Sequence, residues 1–182
     1  VVSSERMSGL VDWTDRGTCC IFGDGSGAAV LGEGDSYLAS ELHTKGGEDV
    51  IAIPTWWNNS PFYQNELRKN CVFMQGQETY KFAVTAMPAD IKAVLEKAGL
   101  RGEDVSIVIP HQANYRIINE ARKRLPEIDP EKFCVNIDRY GNTSAASVPI
   151  LLDEMNRTGK LRRGDLQNLL HRRHNAHRQL DQ

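Results

Sequence analysis

From Glu78 onward the chain alternates helical periods with short apolar β runs, and no other feature limits its fold as strongly. Tyr80, Ala83, Val84, Met87, Ile91, Val94, Leu95 and Ala98 recur at helical spacing, and Gly99 supplies a stop. Pro88 falls inside this pattern and predicts a kink or two abutting helices. The order that follows reads strand (105–109), helix (114–125), strand (132–137), helix (144–157) and the start of a strand (165–170). Such alternation predicts an α/β layered fold with a mostly buried sheet.

The earlier part is less regular. "VVSSERMS" opens with strand-like residues and no turn or cap before them. "TCCIFGDGSGAAVLGEG" reads as two β runs, Cys19–Phe22 and Ala28–Leu31, joined by a glycine-rich turn. Residues 43–70 are rich in Gly, Asn, Pro and Trp and read as an irregular surface excursion. The expected divisions are residues 1–77, 78–166 and a polar tail at 167–182. That tail enters as if to form a strand, then carries Arg172, Arg173 and Arg178 with His171, His174 and His177, which no buried strand holds. Its H-x-x-H-x-x-H spacing drifts around a helix surface, so no metal site is assigned to it.

Composition removes several classes. A net charge of -2 gives no reason to expect nucleic acid as a partner. No apolar run approaches the roughly 20 residues of a membrane span. The N-terminal residues lack the basic flank and apolar core of a signal peptide, so a cytoplasmic setting is expected. Cys19, Cys20, Cys71 and Cys134 show no C-x-x-C spacing, and buried reduced thiols are expected rather than disulfides or zinc ligands.

Chemistry concentrates where β runs end. The run Val105–Ile109 stops at Pro110 and delivers His111, Gln112 and Asn114 together. Open α/β sheets bind ligands beyond the carboxyl ends of their strands. The next β run leads to "NIDRYGNTSAASVP", with Asn142 after a glycine and Thr143 and Ser144 suited to capping a helix. If the two strands are neighbours, His111 and Asn142 reach one crevice. An imidazole N–H and a carboxamide NH₂ are uncharged donors suited to an oxygen that becomes negative during reaction. A turn or cap role for Asn142 remains open on local chemistry. "GDGSGA" (23–28) is a weak match to phosphate-binding loops, and its glycines equally serve positive φ or close backbone approach. No G-x-S-x-G elbow supports a serine hydrolase.

"CCIFGDGSGAAVL", "PHQANYRII" and "NIDRYGNTSAASVP" together resemble the β-ketoacyl-acyl carrier protein synthase III enzymes of the thiolase superfamily. The resemblance runs from Val1 to about Leu166 and includes "DWTDRGT", "MQGQETYKFAV" and "LRRGDL". It implies a thiolase-like layered fold, represented by the end of the first half and most of the second. It also implies a decarboxylative Claisen condensation that initiates fatty-acid or related polyketide synthesis. The substrates would be an acyl-CoA primer and a malonyl-acyl carrier protein, with no further cofactor, and the complete enzyme would be a homodimer. The family's catalytic histidine and asparagine carry over onto His111 and Asn142. Met74, Gly76, Tyr80 and Asn114 match positions along the pantetheine arm. Lys81, Arg116, Lys123 and Arg124 match basic positions facing the acidic carrier protein. The family's nucleophilic cysteine is expected in the half before Val1, and none of the four cysteines here has its context. The alternative is a catalytically inactive fragment that retains only the carrier-protein or CoA surface.

Overall fold

The computed structural model describes residues 1–53 and 71–170 of the 182. Strand β1 (Val2–Glu5) pairs antiparallel with β2 (Gly25–Ala28), and β3 (Ile51–Ala52) with β4 (Phe73–Met74). Helix α1 (Gly76–Ala98) precedes β5 (Ile107–Pro110), which α2 (Tyr115–Arg124) follows. A short α3 (Ile137–Tyr140), α4 (Ser147–Arg157) and β6 (Gln167–Leu170) complete the described order, with β6 parallel to β5.

Every residue of β5 is buried, and its two faces serve two cores. Val108 packs with Ile91 and Leu95 of α1 and Ile118 and Ala121 of α2. Ile107 and Ile109 point the other way, onto Leu151 and Met155 of α4. A strand covered by helices on both faces has no use for polar alternation, which is why this run reads as continuously apolar. The layered α/β architecture expected from the sequence is therefore present.

α1 runs as a single helix through Pro88, so of the two expected outcomes, a kink or two abutting helices, the second is not formed. Proline has no N–H, so the carbonyl four residues earlier, that of Val84, loses its helical donor. Arg124 of α2 supplies one: its Nη1 donates to the Val84 oxygen at 3.0 Å. The same guanidinium donates to Glu120 from Nε at 3.1 Å. Arg124→Ala should therefore destabilise the fold by about 1–3 kcal/mol, the usual cost of stranding a buried acceptor with a charged partner. Chemical denaturation of the variant beside Arg116→Ala, whose side chain lies exposed on the same helix, checks this. Gly99 ends α1 in the left-handed region at φ 67°, as its position predicted.

Other expectations are corrected. Cys19–Phe22 is not a strand: residues 16–21 form turns, and Phe22 makes one parallel bridge, to Asn142. The second run is shifted, because the strand is Gly25–Ala28 itself while Val30 and Leu31 lie exposed. The supposed glycine turn is thus the strand. A side chain at Gly25 would meet Ile150 at 2.7 Å, and one at Gly27 would meet Pro149 at 2.9 Å, so these glycines let α4 lie directly on β2. None of Gly23, Gly25 and Gly27 has positive φ. Residues 132–137 form no strand either; Phe133 bridges Val108, and the Cys134 N–H donates to the Val108 carbonyl at 2.9 Å. The four cysteines are free, but none is fully buried, and Cys20 is exposed. No helix among the described residues is long and apolar enough to cross a membrane. The tail from 171 and most of the tryptophan-containing excursion lie outside the described residues.

Candidate active site

Beyond the carboxyl end of β5 lies a cleft of about 1580 Å³. One wall is the half-buried face of α1 that carries Tyr80, Ala83, Met87 and Val94, and another is the segment 36–44. That segment is strapped to α1: Lys97 Nζ donates to the Ser40 carbonyl at 2.9 Å, and His43 Nδ1 lies 3.0 Å from Asp90. Six residues singled out in the sequence, His111, Asn142, Met74, Gly76, Tyr80 and Asn114, line this one cleft. They come from three stretches of chain, 74–80, 111–114 and 142, which short-range spacing cannot join.

His111 follows β5 directly, half-buried, with Nδ1 2.6 Å from the Ser147 hydroxyl. Gln112, fully buried, fixes the turn beneath it. Its Nε2 donates to the Pro110 carbonyl at 2.9 Å, and its Oε1 accepts the Asn136 N–H at 3.0 Å. That side chain replaces the ladder hydrogen bonds that a strand at 132–137 would have made. Asn114 caps α2, accepting the Arg116 N–H on Oδ1 at 2.8 Å.

Asn142 is held from two sides. Its N–H donates to the Ile21 carbonyl at 2.9 Å, and its carbonyl accepts the Gly23 N–H at 3.0 Å. Its Oδ1 accepts the Ser144 N–H at 2.9 Å, which leaves the NH₂ end of the carboxamide to donate elsewhere. Thr143 and Ser144, expected as caps, make no side-chain cap bond; Asn142 performs that role, and Ser144 sits at φ 50°. The cap reading and the donor reading of Asn142 are thus compatible, one through each end of the amide.

The basic positions lie apart from the cleft lining. Lys81 pairs with Glu78 at 2.7 Å and Lys123 with Glu120 at 3.6 Å, while Arg124 is committed to Val84 and Glu120. Among the cysteines, none begins a helix. Burial pushes the Cys134 thiol up, against smaller opposite pulls from Lys160 and Arg122, so it is a poor thiolate at neutral pH. Among the described residues no group of three His, Cys, Asp or Glu could hold a metal ion. Sequence reasoning missed Ser147 and the stapling role of Gln112. Only the serine's place at the start of the helix after Asn142 hinted at the first.

Residues 95–170 match the family model described as the 3-oxoacyl-[acyl-carrier-protein] synthase III C terminal, and residues 1–46 match a second model described as 3-oxoacyl-[acyl-carrier-protein] synthase III. Between them they take in two thirds of the chain. The chain belongs to the 3-oxoacyl-[acyl-carrier-protein] synthase III family. A synthase III of Caldanaerobacter subterraneus is 45% identical over 172 residues, covering 91% of this chain and 52% of that protein. The crystal structure of the Aquifex aeolicus synthase III superposes with a TM-score of 0.80 at 42% identity, over 93% of this chain and 52% of that one. The priming β-ketosynthase of the R1128 polyketide pathway gives 0.81 at 31% identity, over 93% and 51%. The fold is accordingly the thiolase-like layered α/β fold of synthase III. The chain spans about half the length of the synthase III relatives it matches.

Proposed function

We propose that this chain carries the decarboxylation half of a synthase III condensing centre. The reaction would join an acyl-CoA primer to a malonyl-acyl carrier protein at the start of fatty-acid synthesis. The observation that carries the proposal is the convergence of His111 and Asn142 on one cleft whose wall includes Met74, Gly76 and Tyr80. In the proposed step the bond between the malonyl methylene and its carboxylate breaks, CO₂ leaves, and the electron pair moves into the thioester as an enolate. The enolate oxygen would accept from His111 and from the NH₂ of Asn142. The enolate carbon then attacks the acyl group on a cysteine, whose sulfur leaves as thiolate. We assign that nucleophile to none of the four cysteines here, since none begins a helix and burial disfavours the Cys134 thiolate. The pantetheine arm would run past Met74, Gly76, Tyr80 and Asn114, and no cofactor beyond the substrates takes part. A homodimer in the cytoplasm is the proposed setting.

The test is a chimera in which residues 1–166 replace the matching segment of the Caldanaerobacter subterraneus relative. The chimera should condense acetyl-CoA with malonyl-carrier protein, while the 182-residue chain alone should not. A chimera that folds and binds malonyl-carrier protein yet releases no CO₂ would reject the reading and favour a binding role alone.

For carrier-protein docking we propose the exposed side chains Lys81, Arg116 and Lys123, the last two seven residues apart and so on one face of α2. Arg124 flanks them but spends its guanidinium on the fold. Arg116→Glu should weaken use of malonyl-carrier protein far more than use of malonyl-CoA, and the difference should shrink with added salt. Equal losses with both thioesters would place Arg116 on the pantetheine path instead.

A further inference from the structure

Ser147 is the residue that the proposed chemistry leaves unexplained. It is 2% exposed at the start of α4, 36 residues from His111 in sequence. Its hydroxyl has three neighbours: His111 Nδ1 at 2.6 Å, the Gln112 N–H at 3.3 Å and the Ser144 carbonyl at 2.9 Å. The carbonyl can only accept and the amide can only donate. A hydroxyl has one proton to give and two lone pairs to offer. All three contacts are satisfied in a single way: the hydroxyl donates to Ser144, and both the Gln112 N–H and an Nδ1–H of His111 donate to it.

We infer that Ser147 is a positioning residue that holds His111 through Nδ1 and keeps the ring proton of the neutral imidazole on that nitrogen. The inference rests on the reading of His111 as a cleft-facing working group. It deepens that reading, because the neutral ring then presents Nε2 as an acceptor. His111 becomes a donor to an enolate oxygen only when Nε2 also carries a proton. Turning the hydroxyl toward Nδ1 would give a neutral Nε2–H ring, but at the cost of the donor to the Ser144 carbonyl. A second proton on the ring keeps all three Ser147 contacts.

Nitrogen-15 NMR of the ring in the 182-residue chain, at a pH where His111 is neutral, tests this without any turnover. Failure of the condensing proposal would leave the result readable. In the unsubstituted protein Nδ1 should show the pyrrole-type shift and the one-bond N–H coupling, and Nε2 the pyridine-type shift. Ser147→Ala should move the proton onto Nε2 in a large share of molecules, and Ser147→Thr, which keeps the hydroxyl, should restore the original pattern. A proton on Nε2 in the unsubstituted protein overturns the inference, and that reading does not depend on any variant folding. A folded Ser147→Ala protein with an unchanged tautomer, whatever its melting temperature, overturns it as well, since it would reduce Ser147 to a packing role.

Discussion

His111→Ala in the chimera is expected to slow malonyl decarboxylation by about a hundred- to a thousandfold, while acylation of the cysteine by acetyl-CoA stays near its original rate. Loss of one preorganised donor to a developing oxyanion typically costs about 2.7–4 kcal/mol. The split between steps follows from position: His111 lies on the cleft beyond β5, and the structure ties it to Ser147 rather than to any of the four thiols. Asn142→Asp is the sharper companion. Aspartate keeps an oxygen to accept the Ser144 N–H, so the local fold survives, but it replaces an NH₂ donor with a carboxylate beside growing negative charge. Its loss should exceed that of Asn142→Ala. Release of labelled CO₂ from malonyl-carrier protein, measured apart from acyl transfer, checks both. Equal slowing of the two steps would mean that the variants disturb the fold rather than the enolate.

The second large effect belongs to Gly23. A methyl group there would sit 2.0 Å from the Tyr140 carbonyl oxygen, a backbone atom with little freedom to retreat. The same glycine donates its N–H to the Asn142 carbonyl. Gly23→Ala should therefore destabilise the chain by about 1–3 kcal/mol, as overpacked sites do. In the chimera it should also lower decarboxylation, because the bridge that seats Asn142 would be forced apart. Gly32→Ala is the matched control, since nothing lies within 4 Å of its added methyl. Urea denaturation of the two variants side by side reads the difference. Equal stability would show that residues 21–23 do not hold Asn142 in place.

Sequence carried the fold where one element dictates its own period. α1 was visible from its apolar spacing and its glycine stop, and β5 from an apolar run that two helical layers both cover. It failed where pairing rather than pattern decides. Cys19–Phe22 and residues 132–137 are as apolar as short strands, yet each makes one bridge only, because Gln112 and the turns at 16–21 take up the backbone groups that a ladder would use. Short apolar runs do not distinguish these outcomes. At Pro88 the helix continues because the donor that proline removes is replaced from another helix, by Arg124, and no local rule points there.

Of the proposed site, His111 and Asn142 stood out in the sequence because both follow β-like runs and both lie in motifs that resemble the family. A shared crevice was expected from two neighbouring strands; what was not legible is how Asn142 reaches it, since no strand precedes it and it is seated by the bridge to Phe22, 120 residues away in sequence. Ser147 was invisible for the same reason: its importance is a distance to His111, and nothing in "SAASVP" announces that distance.

The most direct measurement is a crystal structure of the chimera with a malonyl-CoA analogue that cannot lose CO₂. The thioester oxygen should lie about 2.7–3.1 Å from both Nε2 of His111 and Nδ2 of Asn142, the separation at which donors stabilise an oxyanion. An analogue seated in the cleft with that oxygen turned away from both side chains would contradict the account.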